Sequence, residues 1–322
     1  MNDMDPKAMR KRVGSTGWVA LLYYILLNVC VIIFVMGETM VRSMEYIIQG
    51  DFDGIYNAAM EAATSGWGYL LATVIGFVIL MVWKKWKFWR EQIWKKGKPM
   101  KFGDFMAILA IFLCGQLVYQ IYVIALEVGL NIFGLTMLEG VEAMSVDTDN
   151  FSFYLYMAIA APIAEEILCR GLIQRTLMPF GKGFAIFASA FLFGMFHGNI
   201  LQAPMAFLVG LVLGYVAAEY SIAWAMILHM INNMVLGDIL TRLIPGETAA
   251  TIVLWIVLLI SFIGAIIVLV RRGSEITAWK NSAVSVPGVY KRFFSSGGVI
   301  TFTILMVLSM IATLFTLITP KW

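Results

Sequence analysis

The chain is a succession of long apolar runs separated by short polar or charged stretches. A bilayer core of about 30 Å is crossed by roughly 20 apolar residues in a helix. On that measure the pattern predicts eight or nine spans. They lie near Gly17–Met36, Ser65–Trp83, Phe105–Phe133, Phe151–Gly171, Gly183–His197, Ala203–Glu219, Ser221–Leu240, Ala249–Val270 and Gly298–Ile318. The fourth to seventh follow one another closely and are expected to pack together. The first run is too long for the apolar stretch of a secretion signal and has no small-x-small cleavage site, so it reads as a retained span. The predicted fold is all-α, a polytopic transmembrane bundle. Residues 1–322 form one membrane domain, 151–240 its core, and 84–104 a basic aromatic interfacial segment.

Composition agrees. Of the 322 residues, 61% are hydrophobic and only 13% charged, with mean hydropathy +0.86; soluble domains carry about twice that share of charge. The net charge of +3 does not point to nucleic acid, because the basic residues cluster beside apolar runs. They occur at Lys7–Arg12, at Lys84–Lys101, and at Arg271, Arg272, Lys280, Lys291 and Arg292. The stretches Glu38–Ala63 and Gly134–Asn150 are mainly acidic and read as loops. The positive-inside rule then puts the N-terminus in the cytoplasm of a multi-pass cell-membrane protein. Trp83, Trp86, Trp89 and Trp94 interleave with the lysines as an interfacial belt, or as a basic helix lying flat. Gly210 and Gly214 form a Gly-x-x-x-Gly step suited to close helix contact. Cys30, Cys114 and Cys169 lie singly in apolar stretches and read as small core hydrophobes.

Ionisable groups inside a bilayer are costly and need a reason. The fourth span reads Ala161-Pro162-Ile163-Ala164-Glu165-Glu166-Ile167-Leu168-Cys169-Arg170-Gly171. Adjacent carboxylates point about 100° apart on a helix and cannot share one role. Glu166 and Arg170 have the i,i+4 spacing of an ion pair and read as structural. Glu165, left without a cation, is placed to take a proton from water. Pro162 removes one backbone hydrogen bond upstream, opening room for water. The only two histidines occur as Phe193-Gly194-Met195-Phe196-His197 and His229-Met230-Ile231-Asn232-Asn233. His229 and Asn233 share a face and can present two N–H groups to a developing oxyanion. At about 1.5 Å per residue, Glu165 lies roughly 15 Å from Arg175, His229 roughly 14 Å from Glu219 and His197 roughly 22 Å from Lys182. One polar pocket near mid-membrane follows.

The ordered motifs Glu165-Glu166-x-x-x-Arg170, Phe193-x-x-x-His197 and His229-x-x-x-Asn233 resemble those of the CPBP family, the CAAX proteases and bacteriocin-processing enzymes also called Abi proteins. The resemblance covers about 151–240. It implies an intramembrane endopeptidase: Glu165 activates water with help from His197, His229 and Asn233 stabilise the oxyanion, and Glu166 and Arg170 support the site. The eukaryotic branch trims prenylated proteins; bacterial relatives are linked to peptide maturation, self-immunity and regulation. The expected partners are a membrane-associated peptide or protein substrate and the lipid bilayer, with no nucleic acid. The expectation is no required cofactor, because Asn233 beside His229 suits an oxyanion hole better than a metal shell. The alternative is zinc held by Glu165, His197 and His229 with a water. Cys169 as nucleophile is a third option. Rival classes are a proton-coupled transporter and a non-catalytic peptide-binding scaffold.

Overall fold

In the computed structural model, residues 6–84, 86–143, 150–234 and 243–320 are described. Ten principal helices carry the chain: α1 Pro6–Gln49, α2 Phe52–Thr64, α3 Trp67–Trp83, α4 Phe102–Ile132, α5 Phe151–Phe180, α6 Lys182–Phe196, α7 Gln202–Glu219, α8 Ile222–Ile231, α9 Glu247–Arg271 and α10 Gly297–Leu317. The fold is an all-α polytopic bundle. Its one two-stranded ladder among the described residues pairs Leu135–Thr136 with Thr319–Pro320, joining the end of α4 to the end of α10. Each predicted span coincides with one of these helices, although residues 235–240, the end of the seventh, lie outside the described residues.

By length and apolarity, six described helices qualify as spans, or seven if the bent pair α2–α3 is one crossing. That is below the predicted eight or nine. The difference lies in the short members, such as the 15-residue α6, which the apolar pattern counts but a length criterion does not.

The acidic stretch after the first span is helical rather than a loop. Nothing between Glu38 and Gln49 breaks a helix, so α1 continues until Gly50, whose φ of +69° ends it. Asp51 then caps α2 by accepting from the Gly54 N–H at 3.0 Å. Arg42 holds the hairpin, pairing with Glu38 at 2.6 Å and Glu61 at 2.9 Å. Hydropathy alone misses such an element because its polar face lowers the average. In the other acidic stretch, the side chains of Glu139 and Glu142, and residues 144–149, lie outside the described residues.

The basic aromatic segment is not a single flat helix either. It contains a short helical piece at 86–93 in which Trp89 and Ile93 are buried while Trp86, and Trp94 just after it, are exposed; Lys85 and the Trp83 side chain lie outside the described residues. Trp89 stacks edge-on against Phe77, and Ile93 packs on Gly171, so this piece braces the middle of the bundle.

Lipid is as apolar as a leucine side chain, so burial of hydrocarbon does not itself drive membrane helices together; small residues and polar bonds do. The outer helices show this. Along α9 the large residues Ile252, Ile256, Leu259, Ile260 and Ile263 are all exposed. At the crossing of α1 and α10, a Cβ on Gly17 would stand 2.4 Å from the Gly298 backbone. Helix α5 is the exception to outward exposure. Half of its most apolar window is buried, against 11–39% in the other five qualifying helices, so it is the central helix.

Gly17→Leu is therefore expected to lower stability by about 1–3 kcal/mol through overpacking. Gly37→Leu, on the same helix with nothing within 4 Å, is expected to be neutral or slightly stabilising. Thermal unfolding in detergent compares the two.

Candidate active site

Helix α5 is not a plain α-helix. It widens to i→i+5 turns over Tyr156–Ala160 and again over Ile167–Gln174, flanking the ordinary turns of Ala161–Glu166. Such wide turns concentrate at functional sites. The stretch between them carries the two adjacent carboxylates, and they divide as their 100° separation requires. The Glu166 side chain is fully buried, whereas that of Glu165 retains 21% exposure.

Glu166 is held from two sides. Arg170 Nη1 donates to Glu166 Oε1 at 2.8 Å, with both side chains at 0% exposure. His229 Nδ1 approaches the same oxygen at 2.9 Å. Because Glu166 is charge-paired with Arg170, the Nδ1 contact is that of an N–H donor. This fixes the imidazole so that Nε2 faces Glu165 Oε2 at 3.7 Å. The i,i+4 pair expected within one helix thus exists, and it also orients a histidine on α8.

Phe193 occupies the centre of this arrangement. Its ring lies 4.3 Å from the Arg170 guanidinium carbon and meets His197 and His229 edge-on at centroid distances of 5.0 and 5.7 Å. His197 itself closes α6. Its Nδ1 bonds the Phe193 carbonyl at 2.9 Å, and its ring meets the site through Phe193. The following Gly198 takes φ +56° to turn the chain, and Thr313 on α10 donates to the Gly198 carbonyl at 3.2 Å.

Asn233 is tied to α5. Its amide nitrogen donates to the Met157 carbonyl at 2.9 Å. The acceptor is available for a covalent reason. In the wide turn the Ala161 N–H goes to the Tyr156 carbonyl, so the same pattern would pair the Met157 carbonyl with residue 162, and Pro162 has no N–H. The bond that Pro162 deletes is thus remade by Asn233. One amide N–H of Asn233 is committed here, and the other is left over.

The Gly-x-x-x-Gly step has a more specific use than close contact. Arg170 Nη2 donates to the Gly210 carbonyl at 3.2 Å, and Gln174 Nε2 to the Gly214 carbonyl at 2.9 Å. Two i,i+4 steps on facing helices match rung for rung. A Cβ on Gly210 would sit 3.1 Å from Arg170 Nη2, and one on Gly214 would sit 2.9 Å from Gln174 Oε1. One turn further, Arg175 reaches the Ala217 carbonyl at 3.1 Å, and Lys182 pairs with Glu219 at 2.6 Å. Arg175, Lys182 and Glu219, the helix ends from which depth was counted, therefore gather at one level.

Tyr23 of α1 and Tyr156 of α5 lie within electrostatic reach of Glu165. Gln174, Tyr23 and Tyr156 are site neighbours that motif reading passes over. Cys169 is buried and unpaired by any disulfide. Among the described residues no group of three or more His, Cys, Asp or Glu is placed to hold a metal ion. Glu165 and His229 approach each other, while His197 uses its Nδ1 within its own helix.

Residues 147–235 match the family model described as type II CAAX prenyl endopeptidase Rce1-like. Over this segment the chain is similar to that CAAX protease family. The matched Rce1-like region holds Glu165, Glu166, Arg170, Phe193, His197, His229 and Asn233, and ends where α8 leaves the described residues. No curated protein and no solved structure matches the chain.

Removing one member of a buried ion pair leaves an uncompensated charge, at a cost of about 3–5 kcal/mol. Arg170→Met is expected to lose that much. Arg170→Met combined with Glu166→Gln is expected to regain part of it, because no bare charge remains. Thermal melts of the purified variants measure the difference.

Proposed function

We propose that this protein is an intramembrane endopeptidase that hydrolyses a peptide bond of a membrane-associated protein or peptide, with Glu165 as the base that activates water. The observation that carries the reading is the directed chain Arg170–Glu166–His229, which aims His229 Nε2 at the one carboxylate left partly exposed. The Rce1-like match supports the same reaction class.

The roles follow from position. Glu165 takes a proton from water as the oxygen attacks the scissile carbonyl carbon. The carbonyl oxygen becomes an oxyanion, for which donors set in place beforehand are effective. His229 presents its Nε2 toward this oxygen, and Asn233 offers the amide N–H that Met157 does not use. Glu165 then returns its proton to the departing amine as the C–N bond breaks. His197, across the Phe193 ring, assists from the Glu165 side. No step requires Cys169 or a metal.

The substrate reading rests on the surroundings. An apolar groove of about 520 Å³ runs between α1 and α3, lined by Val19, Leu22, Tyr23, Leu26, Val78 and Val82. Its lining includes Tyr23, which is within electrostatic reach of Glu165. A groove of this character suits an apolar or lipidated part of a substrate more than a soluble peptide. The basic clusters support an N-terminus on the cytoplasmic side.

Purified protein in detergent is to be incubated with a farnesylated peptide ending Cys-aliphatic-aliphatic-X, its unlipidated twin and an unrelated transmembrane peptide. Mass spectrometry of the products locates any cut. The wild type is expected to cleave at least one of them. Glu165→Gln is expected to keep its melting temperature while losing about 10²–10⁴-fold in rate. Cleavage by Glu165→Gln at the wild-type rate ends the proposal.

A further inference from the structure

The Asn233 amide is the last member of a longer series. Gln116 Nε2 on α4 donates to Asn232 Oδ1 at 2.5 Å. Asn232 Nδ2 donates to Asn233 Oδ1 at 3.0 Å. Asn233 Nδ2 donates to the Met157 carbonyl. Three side-chain amides from two helices run head to tail into a backbone carbonyl of a third.

The direction of this series is set at one end. A carboxamide presents either its oxygen or its nitrogen to a neighbour, and the two look alike in shape. The Met157 carbonyl can only accept, so Asn233 must turn its nitrogen there and its oxygen back to Asn232. Asn232 must then turn its nitrogen to Asn233 and its oxygen to Gln116, whose nitrogen completes the run. Each bond polarises the next, strengthening donation down the series. The remaining N–H of Asn233 gains most, being at the donor end.

We infer that Gln116 and Asn232 are positioning residues that fix the orientation of the Asn233 amide and raise its strength as a donor. This rests on the hydrolytic reading above, in which Asn233 serves the oxyanion. Neither residue lies in the motifs that define the site, and Gln116 precedes the family match altogether. Pro162 belongs to the same device, since it keeps the Met157 carbonyl open for Asn233.

The test uses whichever of the three peptides above the wild type cleaves. Gln116→Met and Asn232→Leu are expected to lower kcat about 10–100-fold, less than loss of an oxyanion donor itself, with KM changed less than about twofold. Gln116→Glu is expected to donate to Asn232 only when its carboxyl is protonated. Its activity relative to wild type should therefore rise as pH is lowered, a trend Gln116→Met should not show. Pro162→Ala supplies an N–H that competes for the Met157 carbonyl. It is expected to raise the melting temperature while lowering kcat, an opposition that a purely structural role would not produce.

If Gln116→Met and Pro162→Ala keep wild-type kcat, or change only KM, while Glu165→Gln is inactive, the positioning role is overturned and the protease reading stands. If Glu165→Gln cleaves like the wild type, the protease reading itself has failed.

Discussion

The buried pair of Arg170 and Glu166 governs the rest of the structure. Two charges without solvent exposure inside a membrane bundle are costly unless polar or polarisable groups stand close to them. The guanidinium has Glu166 on one side, the Gly210 carbonyl on another and the Phe193 ring against its face. Each of these partners imposes a condition on a different helix. Helix α7 must approach without a side chain, α6 must put an aromatic ring at its last turn, and α8 must bring a histidine to the carboxylate oxygen that Arg170 also holds.

These conditions convert a costly pair into a positioning device. The His229 ring has two nitrogens, and only when one is anchored does the other acquire a fixed direction. Glu166 supplies the anchor, and Arg170 holds Glu166 in place. Glu165 gains from the same arrangement while remaining partly open. Two identical side chains, one residue apart, thus hold opposite offices: one is sealed so that the other can be approached.

Most of what lies within a single helix was legible in the residues. The i,i+4 spacing of Glu166 and Arg170, the divergence of Glu165 from Glu166 and the apolar extent of α5 to α7 all follow from local geometry, and all appear in the structure. Relations between helices were not legible. That Gly210 and Gly214 receive Arg170 and Gln174 depends on which helix α5 faces, and no spacing encodes that. That one Asn233 N–H is taken up by the Met157 carbonyl, left open by a wide turn and a proline, was likewise not written in any spacing. The hairpin of α1 and α2 escaped for another reason: its helix is written in capping and in the absence of breakers, while hydropathy registers only its acidic residues.

The wide turn at Tyr156–Ala160 has a bearing on how such a helix can change. A turn of this kind holds one residue more than an α-helix would spend on the same rise, so the segment before it is rotated about the axis relative to the segment after it. Asn150–Leu155 docks against α3 through Ser152 and Phe153, whereas 161–174 face α6, α7 and α8. The two halves of one continuous rod therefore answer to different neighbours. The extra residue is a swivel in the register, so remodelling at the outer end need not be transmitted as a twist to the carboxylates.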